Sequence, residues 1–566
     1  MRIGIDLGTT HSLASFFLNG RTELIPNAHG HFLTPSAVSI GDDGEVIVGL
    51  AARERIDRHP DRTALSFKRW MGTDRVLTLG KRKFTPIELS ALVLRSLKND
   101  AEAHLGQPVS DAVISVPAYF NQVQREATLR AAAMASLKVE RLINEPTAAG
   151  LAYGLQERTD HTNFLIFDLG GGTFDVSVLG YFEGVVEVRA SAGDTRLGGE
   201  DFTQILEKHF LEHCEGLTER ARNEFRLSRS LWRAAEQAKR DLSEGDEANM
   251  QVSFDGQTHA LTIHREEYEL ASADLLLRLR RPIERALSDA RITPSDLDEV
   301  VLVGGATRMP IVRQMVARLF QRLPLRTVNP DETIARGAAI QAALMDRDAS
   351  LEEIVLTDVM PYSLGIVVTE QLSGRMIHDR FSPIIERNSP VPISRVSTYS
   401  TLADNQTFIE LDIRQGESPI GSDNLQLDLI SLPVPPAPAG RVAVSVRFSY
   451  DASGLLAVDA EEHGTGERMQ RIVRQSGCEL TEGEVSSAMA RLDQLKVHPR
   501  DMQENIYLME RAKRLYEDRL GSFRPLLQQY LADFELALES QDVVIIGNAQ
   551  RVLREKLDAM DKGFIL

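Results

Sequence analysis

The sequence predicts a multidomain protein that is α/β first, then β, then α. Three observations lead there. Short apolar runs alternate with helical patterns up to about residue 345. From Thr357 short strands, punctuated by Pro and Gly, continue to about Arg474, and from Thr481 a helical pattern rich in Leu, Ala, Glu, Arg and Gln takes over. The expected divisions are 1–348, a linker at 349–359, a β domain at 360–476 and helices at 477–566.

In the α/β part, strands are expected at Arg2–Leu7, Ala112–Val116, Phe164–Asp168, Val176–Leu179 and Glu299–Val303. Helices are expected at Thr85–Leu105, Gln124–Leu137, Glu200–Cys214 and Ser228–Leu242. In the β part, Pro433, Pro435, Pro436 and Pro438 forbid a helix and fit a loop between hairpins. Between the two parts, polar Asp346–Glu353 gives way to apolar Ile354, Val355 and Leu356, then Thr357 and Asp358. A mere spacer would be polar throughout, so this segment either starts the next strand or docks on a neighbouring domain.

A chain of 566 residues allows two to four domains and a large core. Its net charge of −18 argues against broad binding to nucleic acid or anionic membrane. Two cysteines, Cys214 and Cys478, provide neither a disulfide framework nor a Cys-based metal site. Nowhere do 18 apolar residues run together, and Asp6 interrupts any signal-like apolar start, so a reducing, cytoplasmic setting is expected.

Two segments resemble each other, Ile3–Thr10 and Leu165–Asp175. Each is an apolar strand ending in Asp-Leu-Gly (Asp6–Gly8 and Asp168–Gly170), followed by Thr and a second strand-like run. Glycines at such turns let backbone N–H groups approach phosphate oxygens, and the aspartates can hold a hydrated divalent cation among them. A single turn of this kind reads as a tight hairpin. Two copies, with Gly304-Gly305-Ala306-Thr307-Arg308 after a third strand, point to nucleotide binding in a duplicated domain with facing hairpins. A P-loop motif is absent, and strand–turn–strand argues against a dinucleotide-binding site.

The paired turns resemble those of the actin, sugar-kinase and DnaK-type chaperone superfamily. Asn144–Gly150, Val116–Asn121 and Asn329–Glu332 narrow the resemblance to the DnaK-type heat-shock chaperones, most similar to the shorter bacterial HscC type. That resemblance implies an actin-like ATPase domain, a β-sandwich that binds peptide and a helical lid. It places Asp6, Gly8, Thr9 and Thr10 at the first phosphate turn, and Asp168, Gly170, Gly171, Gly172, Thr173 and Asp175 at the second. Lys68 matches the lysine that positions the attacking water, and Glu145 a carboxylate near metal and water. Glu236, Lys239 and Ser243 match the clamp on adenine and ribose, while Gly304, Gly305, Arg308 and Asp331 close the pocket. Outside that context Lys68 reads as a surface lysine and Glu236–Lys239 as an ordinary i,i+3 pair. ATP and Mg²⁺ are the implied cofactors, with Asp6, Asp168 and Asp175 around the metal and a role for K⁺ also considered. Asp168 or Asp175 would accept the water's proton.

The same resemblance implies a slow ATPase that switches peptide affinity. Ile366, Val368, Leu402, Ile409 and Leu411 would line the peptide groove, with Ile409 at its central pocket. Alternation alone would equally place such residues in a sandwich core. Arg141, Asn144 and Thr147 match the docking surface of J-domain co-chaperones, near Leu356 and Asp358 of the linker, and Pro117 and Arg125 match a relay from the nucleotide. Client polypeptides, a J-domain protein and a nucleotide exchange factor are the implied partners.

Several departures stand out. Thr357 occupies a linker position that is usually leucine-like. A buried unpaired hydroxyl costs about 1–3 kcal/mol, so weaker interdomain coupling is expected, and Thr357→Leu should strengthen it. His11 replaces the usual Asn or Tyr, the segment from Trp70 to Phe84 is short, and Glu370–Phe381 reads as a lengthened loop beside the groove. The last residues, Lys562–Leu566, lack an acidic Glu-Glu-Val-Asp tail. A sugar kinase or an actin-like filament would not need the β domain and lid. A specialised regulator of one or a few partners would.

Overall fold

The computed structural model describes residues 1–566 except 57, 155–161, 183–184, 215–216, 218–220, 222–223, 255–256, 326–328, 349–350, 352–354, 373–374, 451–455, 474–498, 519–522, 540–542 and 562–566. Ile354, Cys478, the start of the expected lid and the tail therefore lie outside the described residues.

Two six-stranded sheets repeat one plan. In the first, β1 (Arg2–Asp6), β2 (His11–Leu18) and β3 (Arg21–Ile25) form an antiparallel meander. Two strands continue the sheet in parallel beside β1, β4 (Asp111–Val116) and then β5 (Leu142–Asn144). In the second, β6 (Thr162–Leu169), β7 (Phe174–Phe182) and β8 (Val185–Asp194) form the meander, and β9 (Glu299–Val303) lies parallel to β6. The inner strands are apolar on both faces because helices cover both sides, as parallel pairing requires. The internal repeat seen in the sequence is thus a repeat of topology.

Helices start and stop where local chemistry directs. In α1 (Pro86–Leu105) the Thr85 hydroxyl accepts from the Glu88 N–H while Glu88 accepts from the Thr85 N–H, Pro86 opens the first turn, and left-handed Gly106 ends the helix. Asn121 and Gln124 form the same box at α2 (Gln122–Met134). Four further helices belong to this part: α3 (Glu145–Gly154), α4 (Gly199–His213), α5 (Phe225–Glu244) and α6 (Ala273–Ala290), the last packed on β7 and β8.

The segment expected to be a linker is a strand, β10 (Val355–Val359). It joins the second sheet parallel to β8, with Leu356 opposite Val186 and Thr357 opposite Glu187. Two four-stranded sheets follow and enclose one core. The first holds β11 (Leu364–Leu372), β12 (Arg375–Ile385), β13 (Phe408–Gln415) and β14 (Leu425–Pro433); the other runs from Ile393–Ser400 to Arg468–Ile472. The proline cluster begins at the last residue of β14 and fills the loop to the next strand. In Glu370–Phe381, expected as a loop, the described residues are instead strand. They belong to the β11–β12 hairpin, whose register pairs Glu370 with Ile377, so the added length extends a ladder that satisfies its own backbone.

The C-terminal helices α7 (Pro499–Asp518), α8 (Phe523–Glu539) and α9 (Val543–Asp561) share a small core around Leu508, Leu527, Phe534 and Leu557. Helix α7 lies against the N-terminal domain. Buried Glu510 meets Arg55 at 3.6 Å and Arg58 at 3.1 Å, Arg514 meets Glu54 at 3.0 Å, and the Tyr507 ring packs 5.2 Å from His29. The sandwich also docks there: Arg387 grips Asp289 through two 2.9 Å bonds, Asn388 donates to the same carboxylate, and the Tyr362 hydroxyl donates to the Tyr119 carbonyl at 3.0 Å.

Candidate functional site

The two glycine turns face each other across the cleft. A side chain on Gly171 would collide with Thr10, and one on Gly172 would collide with Thr9 and Arg69. Gly304, at φ 83°, leaves no room for a Cβ against the Leu169 carbonyl and Asp168. Backbone N–H groups can therefore approach a ligand from three turns, the cradle a polyphosphate needs. Thr173 is buried beside the second turn, where its carbonyl accepts from the Gly170 N–H at 3.1 Å.

Beneath the turns lies a buried acidic cluster. Asp6 accepts from Ser115 at 2.8 Å, and Asp175 accepts from the Tyr119 backbone N–H at 3.2 Å. Lys68 is only 3% exposed and donates to Glu145 at 2.8 Å. Burial, reinforced by Glu145, pushes Asp6 up to about 7 and Asp175 up to about 8; the same two causes raise Asp168 strongly. Four carboxylates share one lysine, and Asp168 Oδ2 is buried without a hydrogen-bond partner. Among the described residues no three His, Cys, Asp or Glu side chains converge as direct metal ligands. The surplus negative charge and the orphaned oxygen suit a cation that keeps its water shell, as Mg²⁺ does.

Across the cleft, Lys239 on α5 donates to Glu236 at 2.6 Å, to Thr203 and to the Gly199 carbonyl, and Ser243 donates to the Lys239 carbonyl. Burial lowers Lys239. Burial would raise Glu236, but Lys239, Thr203 and Arg240 outweigh it and hold the carboxyl down. Arg308 meets Asp331 at 2.6 Å and also reaches Asn329. His11 sits at the cleft mouth, 3.3 Å from Arg53, and is pushed down to about 4 by burial and then Arg53. The expected phosphate, catalytic and adenine-side residues therefore line one cleft.

The family model described as Hsp70 protein matches residues 2–78 and 75–524. The chain is 41% identical over 579 aligned positions to proteins named Chaperone protein DnaK from Thermotoga petrophila, Thermotoga sp. and Thermotoga maritima, covering 100% of this chain and 93% of each relative. The chain belongs to the Hsp70 family. It is an ATP-dependent chaperone with ATPase activity, built from an actin-like ATPase domain and a substrate-binding region.

In this Hsp70 chain a continuous path leaves the acidic cluster. The Tyr119 N–H reaches Asp175, and Pro117 opens the Pro117–Asn121 turn that carries Tyr119. Arg125 donates to the Ala118 and Phe120 carbonyls at 3.0 Å and to Asn144 at 2.6 Å. Asn144 and Thr147 then donate to Asp358 of β10 at 2.9 and 3.2 Å. Arg141 borders this path with its Nε buried and unpartnered; burial lowers it, while Asp358 opposes the shift.

The expected groove residues separate. Leu411 is 0% exposed, and Ile366 and Ile409 are also buried in the sandwich core, whereas Val368 is half-buried and Leu402 is 52% exposed. Ile366 and Leu411 present no open groove wall in this conformation. Alternation along β13 puts Ile409, Leu411 and Ile413 on the inward face together.

Sequence reasoning missed the bridge that closes the cleft. Arg69 donates to Glu200 and Asp201 at 3.0 Å each, and Ser66 also donates to Glu200. Its only trace was an acidic pair opening a helix directly after Gly198-Gly199.

Proposed function

We propose that the cleft hydrolyses ATP and that the Asp175–Asp358 path transmits nucleotide state to the sandwich. The observation carrying this reading is the series of hydrogen bonds from Asp175 to the Tyr119 N–H, from the flanking Ala118 and Phe120 carbonyls to Arg125, and on through Asn144 to Asp358. Gly170–Gly172 and Gly304–Gly305 cradle the phosphates, with Thr9 and Thr10 facing them, while Glu236, Lys239, Ser243 and Arg308 hold adenine and ribose. Lys68 orients the attacking water, and Glu145 fixes the lysine. Asp175, whose basicity is raised by burial and then by Glu145, accepts the proton in its ionised form. Asp6, Asp168 and Asp175 would surround a hydrated Mg²⁺, which supplies charge neutralisation for the polyphosphate when bound.

ATP in the cleft favours the docked arrangement, and its hydrolysis to ADP frees the sandwich to hold extended apolar peptide around Val368, Leu402 and Ile409. Arg141, Asn144 and Thr147 form the surface for a J-domain co-chaperone next to the linker, and an exchange factor completes the cycle. A chaperone of the HscC type, working in the cytoplasm, belongs to this reading. The boundaries 1–348, 349–359, 360–476 and 477–566 belong to the same reading. The altered linker favours a narrow client range as the second reading.

Single-turnover ATP hydrolysis, with and without an apolar peptide and candidate J-domains, tests the proposal. Lys68→Ala should slow the chemical step about 10²–10³-fold. Activity indifferent to Lys68 would contradict the assigned site.

A further inference from the structure

A cavity of about 340 Å³ opens where the two halves of the ATPase domain and the sandwich meet. Tyr119 comes from the first half, Asp194, Arg278, Arg281 and Pro282 from the second, and Tyr362 from the sandwich. That volume lies within the ~300–1,000 Å³ typical of small-molecule sites. The two tyrosine rings stand 4.6 Å apart and form an aromatic wall.

The charges are unbalanced. Arg278 meets Asp194 at 2.7 Å, but Arg281 has no ion pair among the described residues. A third cation, Arg285, stands 5.8 Å from the centre of the Tyr119 ring with its Nη2 buried and unpartnered. Tyr119 is 6% exposed, and its hydroxyl also lacks a partner. Two arginines and one aspartate line the cavity beside two tyrosines, with Arg285 behind the Tyr119 ring, and this lining selects an anion with a flat apolar body.

We infer that this cavity binds a small aromatic anion, an aryl phosphate or aromatic carboxylate, as an effector that holds the sandwich on the ATPase domain. Its ligand touches both partners of the Tyr362–Tyr119 bond, and the Tyr119 backbone N–H contacts Asp175. Occupancy therefore bears on docking and on the catalytic carboxylate at once. The inference rests on the nucleotide-controlled docking proposed above and adds a ligand class to it.

Calorimetric titration of the full chain, saturated with a non-hydrolysable ATP analogue so that the nucleotide cleft is filled, tests this directly. Phenyl phosphate and benzoate should bind, inorganic phosphate at least about tenfold more weakly, and benzylamine not at all. Arg281→Gln, a change at an exposed side chain, should weaken phenyl phosphate about tenfold or more without altering the unfolding temperature. Phenyl phosphate binding no tighter than inorganic phosphate, or equal affinity in Arg281→Gln, would overturn the proposal. Binding that is lost when ADP replaces the analogue supports both the cavity and nucleotide-controlled docking. Equal binding in both states supports the cavity and counts against that control.

Discussion

Thr357 offers the sharpest test of coupling. It lies in β10 opposite Glu187, and among the described residues its buried hydroxyl has no hydrogen-bond partner. Valine has the same shape and lacks the hydroxyl, so Thr357→Val removes the penalty and preserves the packing. Leaving a hydroxyl desolvated and unpaired costs about 1–3 kcal/mol in proteins. In the undocked chain water satisfies that group, so the cost falls on the docked form alone. Removing it should raise the docked-to-undocked ratio roughly 5- to 150-fold. Energy transfer between a label on the sandwich and one on the ATPase domain reads that ratio, and protease cleavage of 349–359 provides an independent check. Peptide dissociation in the ATP state should accelerate in parallel. Thr357→Ser, which keeps the hydroxyl, should not raise the ratio. A docked population that is unchanged or smaller in Thr357→Val would refute the reasoning.

Other consequences are also measurable. Burial and then Glu145 push Asp175 up to about 8 from the ordinary carboxylate value of 3.8, so the nucleotide-free fold takes up a proton there and loses stability as pH climbs through about 4–8. The unfolding temperature of Asp175→Asn should therefore exceed that of the parent by a margin that widens from about pH 5 to about pH 8 and shrinks when Mg²⁺ and ATP are added. Arg69→Ala removes two charged hydrogen bonds across the cleft and should weaken ATP binding at least about tenfold by equilibrium titration. Glu510→Gln leaves Arg55 buried against a neutral partner and should release α7 from the ATPase domain, seen as faster proteolysis of that helix.

Much of the fold was legible because local chemistry and core position agree. Glu299–Val303 is a strand to the residue because a run buried between helices needs no polar face, and the Thr85–Glu88 box marks the start of α1. The duplicated turns were legible as a repeat, and their facing arrangement follows from the repeated meander. Lys68 was placed by resemblance alone, since no periodicity distinguishes a buried ion-paired lysine from a solvated one. Arg69–Glu200 and Tyr119–Asp175 join residues more than 50 positions apart, beyond any local pattern. The groove expectation was only partly resolvable. Period-2 alternation shows that Ile409 and Leu411 share a face, while the opposing sheet decides whether that face is open. The β11–β12 hairpin was misread because Glu, Gln, Ser, Gly, Arg and His between the apolar residues look like turn chemistry in the sequence, although the backbone of Glu370–Leu372 pairs with that of Arg375–Ile377.

The seat of α7 carries a consequence for reversibility. Glu510 with Arg55, and Arg514 with Glu54, add ion pairs to that contact beside the packing of Tyr507. Removing such charges from water consumes most of the energy their attraction returns, so the pair settles close to balance. A greasy joint would leave a sticky scar whenever the arm lifted, inviting capture by neighbouring molecules. A charged one parts into two hydrated faces. The arm can therefore swing repeatedly, driven by small free-energy changes, in a molecule whose work exposes it to aggregating chains.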